Sequence, residues 1–189
     1  MSHALLEAIT CLTTTPESVK YAKECGIDPA FIEPHCCFLA VALANFFQGP
    51  AGNVFRLSPE GKPAVVIGAR TAMREEPQDL VAWPLYGSRR DFWASFNLKA
   101  DLLGIPQALR HRSSGAPLRL HRTPEDWLLS GFDGSCIVNQ RWGGHWLNKL
   151  PGPFVCNDVR HASEVAAMLK PFGKDALVYF ATPDTREAA

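Results

Sequence analysis

The feature that most constrains the fold of this chain is a repeated pattern of apolar strand, helix and apolar strand between residues 117 and 183. The first copy reads PLRLHR, TPEDWLLSG and SCIVNQ, and the second reads FVCND, VRHASEVAAMLKPFG and KDALVYFATP. Strands that alternate with helices predict a parallel sheet with helices packed on its faces. Folds of this kind place their chemistry at the carboxyl ends of the strands. The sequence therefore predicts an α/β unit and indicates its strand ends as the place for a site.

Two residues mark helix starts inside this unit. Thr123 precedes Pro124, and the acids Glu125 and Asp126 follow in the first turn. A threonine cap, a proline at the first helical position and acids near the positive end of the helix dipole all favour a helix that starts here. Asp158 stands at the matching place before the second helical pattern. We interpret Asp158 as an N-cap, with a residue that faces a metal or a phosphate as the alternative.

The first part of the chain carries helical periodicity. Apolar residues recur on one stripe between residues 2 and 12, and Pro16 starts a second helix that ends at Gly26. The run CCFLAVALANFF at residues 36–47 is almost wholly apolar and is compatible with a buried helix or with a strand followed by a helical turn. Its alanines and leucines favour the helix. These patterns predict a helical N-terminal segment over residues 1–48.

Short strands separated by turn residues follow. The predicted strands cover residues 54–57, 64–69, 79–85 and 92–96, and their spacing predicts an antiparallel meander. We predict that a helical turn at residues 98–103 and a polar loop at residues 110–117 connect the meander to the α/β unit. The predicted fold class is therefore α/β, or α+β overall, with N-terminal helices, a short antiparallel β region and a C-terminal α/β unit. The helical segment over residues 1–48 is the first predicted domain, and the β region with the α/β unit is the second, over residues 54–183. One compact domain is the alternative.

Composition and charge exclude several classes of protein. Apolar residues make up 47% and charged residues 20% of the chain, as in ordinary globular proteins. The formal net charge is zero, so no overall basic field attracts nucleic acid or anionic lipid, although a local patch remains open. No apolar run approaches the roughly 20 residues of a membrane span, and the N-terminus lacks the pattern of a signal peptide. We expect a cytoplasmic protein with no membrane partner.

The cysteines are expected to be reduced, because no secretory signal precedes them. They are Cys11, Cys25, Cys36, Cys37, Cys136 and Cys156. The first four, with His35, lack the closely paired spacing of zinc ligands. We therefore expect structural cysteines, no metal site and no cofactor.

The C-terminal half resembles the Toprim domain of primases and topoisomerases, and in particular the primase-like Toprim proteins of phages and plasmids. The resemblance rests on PLRLHRTPEDWLLSGFDGSCIVN and on PFVCNDVRHASEVAAMLKPFGKDALVYFATP. The preceding DLVAWPL and FNLKADLLGIP are similar to the β-rich region that often precedes Toprim in these primases. The resemblance covers residues 54–183 and implies a Toprim-like fold and a role with nucleic acid.

The chain departs from the Toprim pattern where the family carries acids. The acid that follows the first strand falls at His121 or Arg122, and the first aspartate of the later pair falls at Cys156. Asp158 alone matches, and Val159 replaces the glycine that follows the pair. In the family these carboxylates are thought to hold magnesium, which prefers hard oxygen ligands. The resemblance therefore implies a domain that has lost catalysis.

A basic run supplies the first group of candidate binding residues. Arg119, His121 and Arg122 lie in a stretch with no acid between residues 110 and 122. Arginine forks match the oxygens of a phosphate, which favours contact with a nucleic-acid backbone. The alternative is a solvated loop followed by one strand face.

The segment RWGGHW supplies the second group, with Arg141, Trp142, His145 and Trp146. Two glycines between tryptophans predict a loop after the second strand of the α/β unit. Exposed tryptophans stack on bases or anchor a protein partner, whereas tryptophans that fold back onto the core do neither. The flanking Arg141 and Lys149 slightly favour an anionic partner.

Three functions are compatible with these residues. The first hypothesis is a non-catalytic Toprim-like protein of a phage or mobile element that binds nucleic acid or a replication protein. The second is a protein-interaction module that modulates a host complex. The third is a magnesium-dependent nucleotidyl enzyme with an acid set rebuilt from Asp158, Glu125 and Asp126. No recognised nucleophile or phosphate-loop motif supports a different enzyme class.

Overall fold

The computed structural model describes residues 3–12, 16–27, 38–71, 74–86 and 92–180. The helices in this part of the chain are α1 (His3–Cys11), α2 (Pro16–Glu24), α3 (Ile105–Ser114), α4 (Pro124–Leu129), α5 (Gln140–Leu147) and α6 (Val159–Leu169). The strands are β1 (Leu39–Gly49), β2 (Gly52–Leu57), β3 (Lys62–Thr71), β4 (Arg74–Pro84), β5 (Ala94–Ser95), β6 (Leu102–Leu103), β7 (Leu118–His121), β8 (Ser135–Ile137), β9 (Phe154–Cys156) and β10 (Val178–Phe180). The predicted mixed α/β class with N-terminal helices is confirmed.

Strands β1 to β5 form a closed barrel in the order β1-β2-β5-β4-β3. The neighbours pair antiparallel except β2 and β5, which pair parallel through Val54 and Ser95. The four predicted strands are present as β2 to β5, but they do not form a simple meander. Strand β1 lies between β2 and β3, and β5 pairs with both β2 and β4, which closes the barrel. Both faces of β3 are buried. Val66 packs with Phe55 and Leu5 of α1, while Val65 packs on the other side with Trp127 of α4.

The predicted helix over residues 36–47 is wrong for its described part. Residues 36 and 37 lie outside the described residues, and from Leu39 the chain runs as β1, paired with β3 on one side and β2 on the other. The apolar residues of β1 do not alternate with polar ones, although Leu43 and Phe47 are exposed, and periodicity alone does not separate such a run from a buried helix. The predicted domain bounds stay a prediction.

Two connecting segments also differ from their predictions. The predicted helical turn contains β6, which pairs antiparallel with β8. The predicted polar loop is mostly the end of α3, which buries Ile105, Ala108 and His111 on one stripe. Gly104 and Gly115 flank α3 in left-handed conformations with φ of 76° and 69°. These glycines mark the two ends of α3, which the polar composition of residues 110–117 did not indicate.

The second sheet has the strand order β10-β9-β7-β8-β6. Strands β7, β8, β9 and β10 run parallel. From the central β7 the chain passes through α4 to β8 on one side, and then through α5 back across to β9 on the other side. The strand order therefore reverses between β7 and β9, and the carboxyl ends of these two strands form a topological switch point. In open α/β sheets this is the position where ligands bind.

One buried carboxylate ties the barrel to the second sheet. Asp79 of β4 accepts hydrogen bonds from the backbone N–H groups of Leu80, Asn97, Lys99 and Ala100 at 2.7 to 3.0 Å. Three of these donors lie on the segment that connects β5 to β6. The side chain of Asp79 therefore fixes the path of the chain from the barrel into the sheet.

Candidate functional site

A cavity of about 360 Å³ lies at the switch point, and we refer to it as the strand-end cavity. It is lined by Trp93, His121, Arg122, Ile137, Gln140, Arg160, His161, Glu164, Val165 and Met168. Strand β7 supplies His121 at its last position, and α6 supplies a row of residues spaced by three and four. This spacing places them on one helix face.

Two buried histidines line the strand-end cavity. His121 and His161 are only 3% and 5% exposed. His121 Nε2 lies 2.8 Å from the carbonyl oxygen of Asp133, and since a carbonyl only accepts, Nε2 carries the hydrogen. Nδ1 of each ring is buried without a hydrogen-bond partner. Burial lowers the pKa of both imidazoles, so both are neutral near pH 7.

Two arginines flank the histidines and share one carboxylate oxygen. Arg122 Nη2 and Arg160 Nε donate to Glu164 Oε1 at 3.0 and 3.2 Å. The side chain of Arg122 is 21% exposed and that of Arg160 is 74% exposed. Glu164 thereby holds two guanidinium groups at the mouth of the strand-end cavity.

The strand ends do not provide the ligands that magnesium requires. Cys156 is buried, which raises the pKa of its thiol to about 12, and Glu164 is already bonded to two arginines. Asp158 Oδ1 accepts the backbone N–H of His161 at 2.8 Å, and this bond holds the pKa of Asp158 below its usual range. Across the residues that the structure describes, no three or more His, Cys, Asp or Glu side chains cluster as metal ligands. The magnesium site of the Toprim family therefore does not fit the residues at these strand ends.

Asp158 is the N-cap of α6, as the sequence predicts. We expect Asp158→Ala to lower the free energy of unfolding by about 1 kcal/mol, because the N–H of His161 loses its acceptor. Asp158→Asn keeps a capping oxygen and serves as the matched control. Urea denaturation of the three proteins measures the difference. Equal losses for alanine and asparagine would contradict the capping role.

The strand-end cavity continues into a cleft between the barrel and the second sheet. Its neighbour, a cavity of about 440 Å³, shares Trp93 and Gln140 with it and reaches the turn between β1 and β2. A third cavity of about 600 Å³ adjoins at Leu98 and is lined by Lys99, Asp101, Trp142, His145, Trp146 and Lys149. Trp93 Nε1 donates to the carbonyl of Val138 at 2.9 Å, which fixes the indole at the junction. We call these three cavities, each of which shares lining residues with its neighbour, the cleft.

The far end of the cleft carries an aromatic column on α5. Trp142 and His145 are stacked, with ring centroids 5.7 Å apart and an angle of 11° between the planes. The guanidinium of Arg141 lies over Trp142 at 5.6 Å, and His145 contacts Phe172 on its other side at 5.4 Å. Trp142 is 47% exposed. The column therefore presents a half-exposed indole between an imidazole and a guanidinium.

The loop predicted for this segment is wrong, because residues 140–147 form α5. The two glycines serve close packing rather than a turn. A Cβ on Gly143 would lie 2.3 Å from Ile137 Cγ2, and one on Gly144 would lie 2.8 Å from the carbonyl oxygen of Met168. Trp146 packs partly against the core of the second sheet, whereas Trp142 does not.

The predicted binding residues divide into three places. His121, Arg122 and Asp158 meet at the switch point, and Arg141, Trp142, His145 and Trp146 meet at the far end of the cleft. Arg119 lies elsewhere: it pairs with Asp133 at 3.4 Å and lines a separate cavity with Arg110 and His111.

Sequence reasoning missed several residues of the cleft, namely Trp93, Gln140, Arg160, His161 and Glu164. His161, Glu164, Val165 and Met168 have a signal in the sequence, since they share one face of the predicted helix. Trp93 has none, because it reaches the site only through the closure of the barrel.

Comparisons with known proteins identify the fold. No family model and no curated protein matches the sequence. The structure of the RNA polymerase domain of Mycobacterium tuberculosis primase DnaG is similar with a TM-score of 0.58 and 15% identity, over 96% of this chain and 75% of that one. The structure of the Aquifex aeolicus primase, with zinc-binding and RNA polymerase domains, is similar with a TM-score of 0.52 and 14% identity over 81% of this chain.

This chain covers 46% of the Aquifex aeolicus structure. At these identities the likeness shows the fold alone, and it confirms the primase-like α/β fold that the sequence predicts. No helix in the described ranges is long and apolar enough to cross a membrane.

Proposed function

We propose that this protein binds a single nucleic-acid strand along the cleft and does not catalyse chemistry on it. The observation that carries the proposal is the arrangement of the cleft, with a stacked aromatic column at one end and two arginines at the other. Bases stack on exposed aromatic rings with little dependence on sequence. Arginine and lysine side chains contact the phosphates and set the register of the strand.

The cations of the cleft supply a local basic surface on a chain of zero net charge. Arg122 and Arg160 lie at the strand-end cavity, and Lys99 and Lys149 line the third cavity beside Trp142. Asp101, Asp158 and Glu164 offset part of this charge. We therefore expect micromolar affinity that weakens with salt, as for a strand whose phosphates meet only a few cations.

The residues at the strand ends support the non-catalytic part of the proposal. Where the Toprim pattern carries acids, this chain has a buried neutral histidine and a buried thiol at His121 and Cys156. The two nearby carboxylates, Asp158 and Glu164, already accept hydrogen bonds from the protein. The resemblance of the sequence motifs to the primase-like Toprim proteins of phages and plasmids is the ground for a further proposal, that the protein serves the replication of such an element.

Fluorescence anisotropy with a labelled single-stranded oligonucleotide that carries hydroxyl groups at both ends tests the proposal. We expect Trp142→Ala to weaken binding by about 5- to 150-fold, which corresponds to about 1–3 kcal/mol for one stacked base. Arg141→Gln is expected to reduce the salt slope by about 0.7 if the side chain contacts one phosphate of a single strand.

Lys20→Gln is the matched control, since Lys20 is a 76% exposed cation on α2 that pairs with Glu24 away from the cleft. It should leave affinity and salt slope unchanged. The absence of salt-dependent binding to both DNA and RNA strands would overturn the proposal. A protein partner lost on Trp142→Ala in a pull-down would then favour the interaction module.

A further inference from the structure

We propose that the strand-end cavity binds one phosphate monoester group, from the end of a nucleic-acid strand or from a free nucleotide, and takes up a proton as it does so. The inference rests on the proposed function and deepens it, because the cavity at one end of the cleft would bind the terminal phosphate of the strand. It rests on the geometry of two histidines, two arginines and one shared carboxylate.

The unpartnered ring nitrogens are the first observation. Nδ1 of His121 and Nδ1 of His161 are buried and make no hydrogen bond, although both rings line the strand-end cavity. A buried polar atom without a partner is unfavourable, so native structures rarely leave one without a functional reason. The two rings that carry these atoms line one cavity, where a ligand can supply the missing partners.

The hydrogen bond of His121 determines what kind of ligand fits. Its Nε2 already donates to the carbonyl of Asp133. Nδ1 of the neutral ring is therefore an acceptor, and it becomes a donor only when the ring gains a proton. A phosphate oxygen accepts from Nδ1 only in that protonated state. Binding of a phosphate and protonation of His121 are therefore linked.

The charges around the two rings leave both neutral when the cavity is empty. Arg119 disfavours the cation at His121, while Asp126 and Asp133 favour it. Asp158 and Glu164 favour the cation at His161, while Arg122 and His121 disfavour it. Burial dominates at both sites and lowers both pKa values. A phosphate dianion inside the cavity acts in the opposite direction and raises them.

The sign of the pH dependence follows from this. The pKa of His121 is low without the ligand and higher with it, so affinity increases as the pH falls between those two values, by up to about tenfold per pH unit for one proton. The increase ends near pH ~6, where the second ionisation of the monoester reverses. A phosphodiester carries one negative charge in place of two, so it raises the pKa of His121 less and gains less affinity as the pH falls.

The arginines at the mouth complete the site. Glu164 accepts one N–H group from each of Arg122 and Arg160, and a guanidinium carries five. The remaining N–H groups match the oxygens of a phosphate in the forked geometry that arginine favours. The apolar side chains of Ile137, Val165 and Met168 line the same cavity and reduce its water content, which strengthens each charged contact.

Isothermal titration calorimetry tests the proposal with four ligands of one sequence: a strand with a 5′-phosphate, one with a 3′-phosphate, one with hydroxyl ends, and the free mononucleotide monophosphate. At about pH 6.5 we expect one phosphorylated strand, the mononucleotide, or both to bind about tenfold more tightly than the hydroxyl strand. Titrations in two buffers of different ionisation enthalpy should show uptake of about one proton with the phosphorylated ligand only. The 5′, 3′ and mononucleotide arms distinguish the sources of the monoester.

His121→Gln is the sharpest variant, because the glutamine amide retains a donor for the carbonyl of Asp133 and does not titrate. It should abolish the proton uptake and the preference for phosphorylated ends. His161→Gln should reduce that preference, and the exposed His3→Gln on α1 is the matched control, which should leave it unchanged.

Two results with the unmodified protein would overturn the inference: equal affinity for phosphorylated and hydroxyl ligands, or no proton uptake. Neither result depends on whether a variant folds. Failure of the hydroxyl strand to bind counts against the proposed function instead. In that case the mononucleotide arm still decides whether the strand-end cavity takes a monoester.

Discussion

Asp79→Ala is expected to lower the free energy of unfolding by about 3–5 kcal/mol, because each buried N–H left without an acceptor costs about 1–3 kcal/mol. Asp79 is fully buried and accepts four backbone hydrogen bonds. Burial raises the pKa of this carboxyl group, and the four donors oppose that rise. The loss extends beyond the barrel, since three donors belong to the segment that leads to β6. We also expect weaker strand binding, because Leu98 and Lys99 of that segment line the cleft.

Chemical denaturation of the variant and two controls measures this effect. Asp79→Asn keeps one acceptor oxygen and should fall between the alanine variant and the unmodified protein. Asp175→Asn removes the charge of an exposed acid and should change stability by less than about 0.5 kcal/mol. If Asp79→Ala were no less stable than Asp175→Asn, the carboxylate would not hold the barrel to the sheet.

Trp127→Ala is expected to lower the free energy of unfolding by about 3–5 kcal/mol, the usual cost of removing a large buried aromatic side chain. Trp127 is 0% exposed and packs between the outer face of the barrel and the second sheet. Its ring meets Phe132 edge to face at 5.2 Å, and its Nε1 donates to the carbonyl of Gly134 at 3.2 Å. Trp127→Phe should lose less, because it refills most of the cavity but leaves that carbonyl unpaired.

Trp142→Ala provides the matched comparison on the surface. Trp142 is half exposed, so its loss should cost less than about 1 kcal/mol of stability. Trp127→Ala should therefore lose mainly stability, whereas Trp142→Ala should lose mainly affinity for the strand. Thermal melting and anisotropy on both proteins check this. A large loss of stability in Trp142→Ala would mean that the aromatic column supports the fold rather than a ligand.

The parts of the fold that could be predicted from the sequence are those set by local chemistry. Thr123 and Asp158 cap their helices as predicted, because a cap depends on residues within one turn. The alternation of strand and helix fixed the parallel sheet for the same reason. Residues 39–47 were wrongly assigned to a helix, because pairing with β2 and β3 involves residues that are distant in sequence.

The candidate site shows the same limit. His121 and Arg122 could be placed at a strand end from the sequence, because the end of a parallel strand is a local signal. The unpartnered state of His121 Nδ1 could not, since it depends on burial by residues of other elements. Gly143 and Gly144 predicted a loop because glycine favours turns, whereas here their missing side chains let α5 approach Ile137 and Met168.

The single carboxylate oxygen shared by Arg122 and Arg160 also bears on selectivity. Glu164 places a negative charge at the entrance of a cavity that attracts anions. Because repulsion grows with the charge of the ligand, this carboxylate by itself disfavours a dianion more than a monoanion. A diester within a strand brings one charge, whereas a terminal monoester brings two and recruits a proton at His121. In the proposed complex, discrimination of the end of a strand therefore comes from the two arginines that Glu164 holds in place and from the proton at His121, and not from the charge of Glu164.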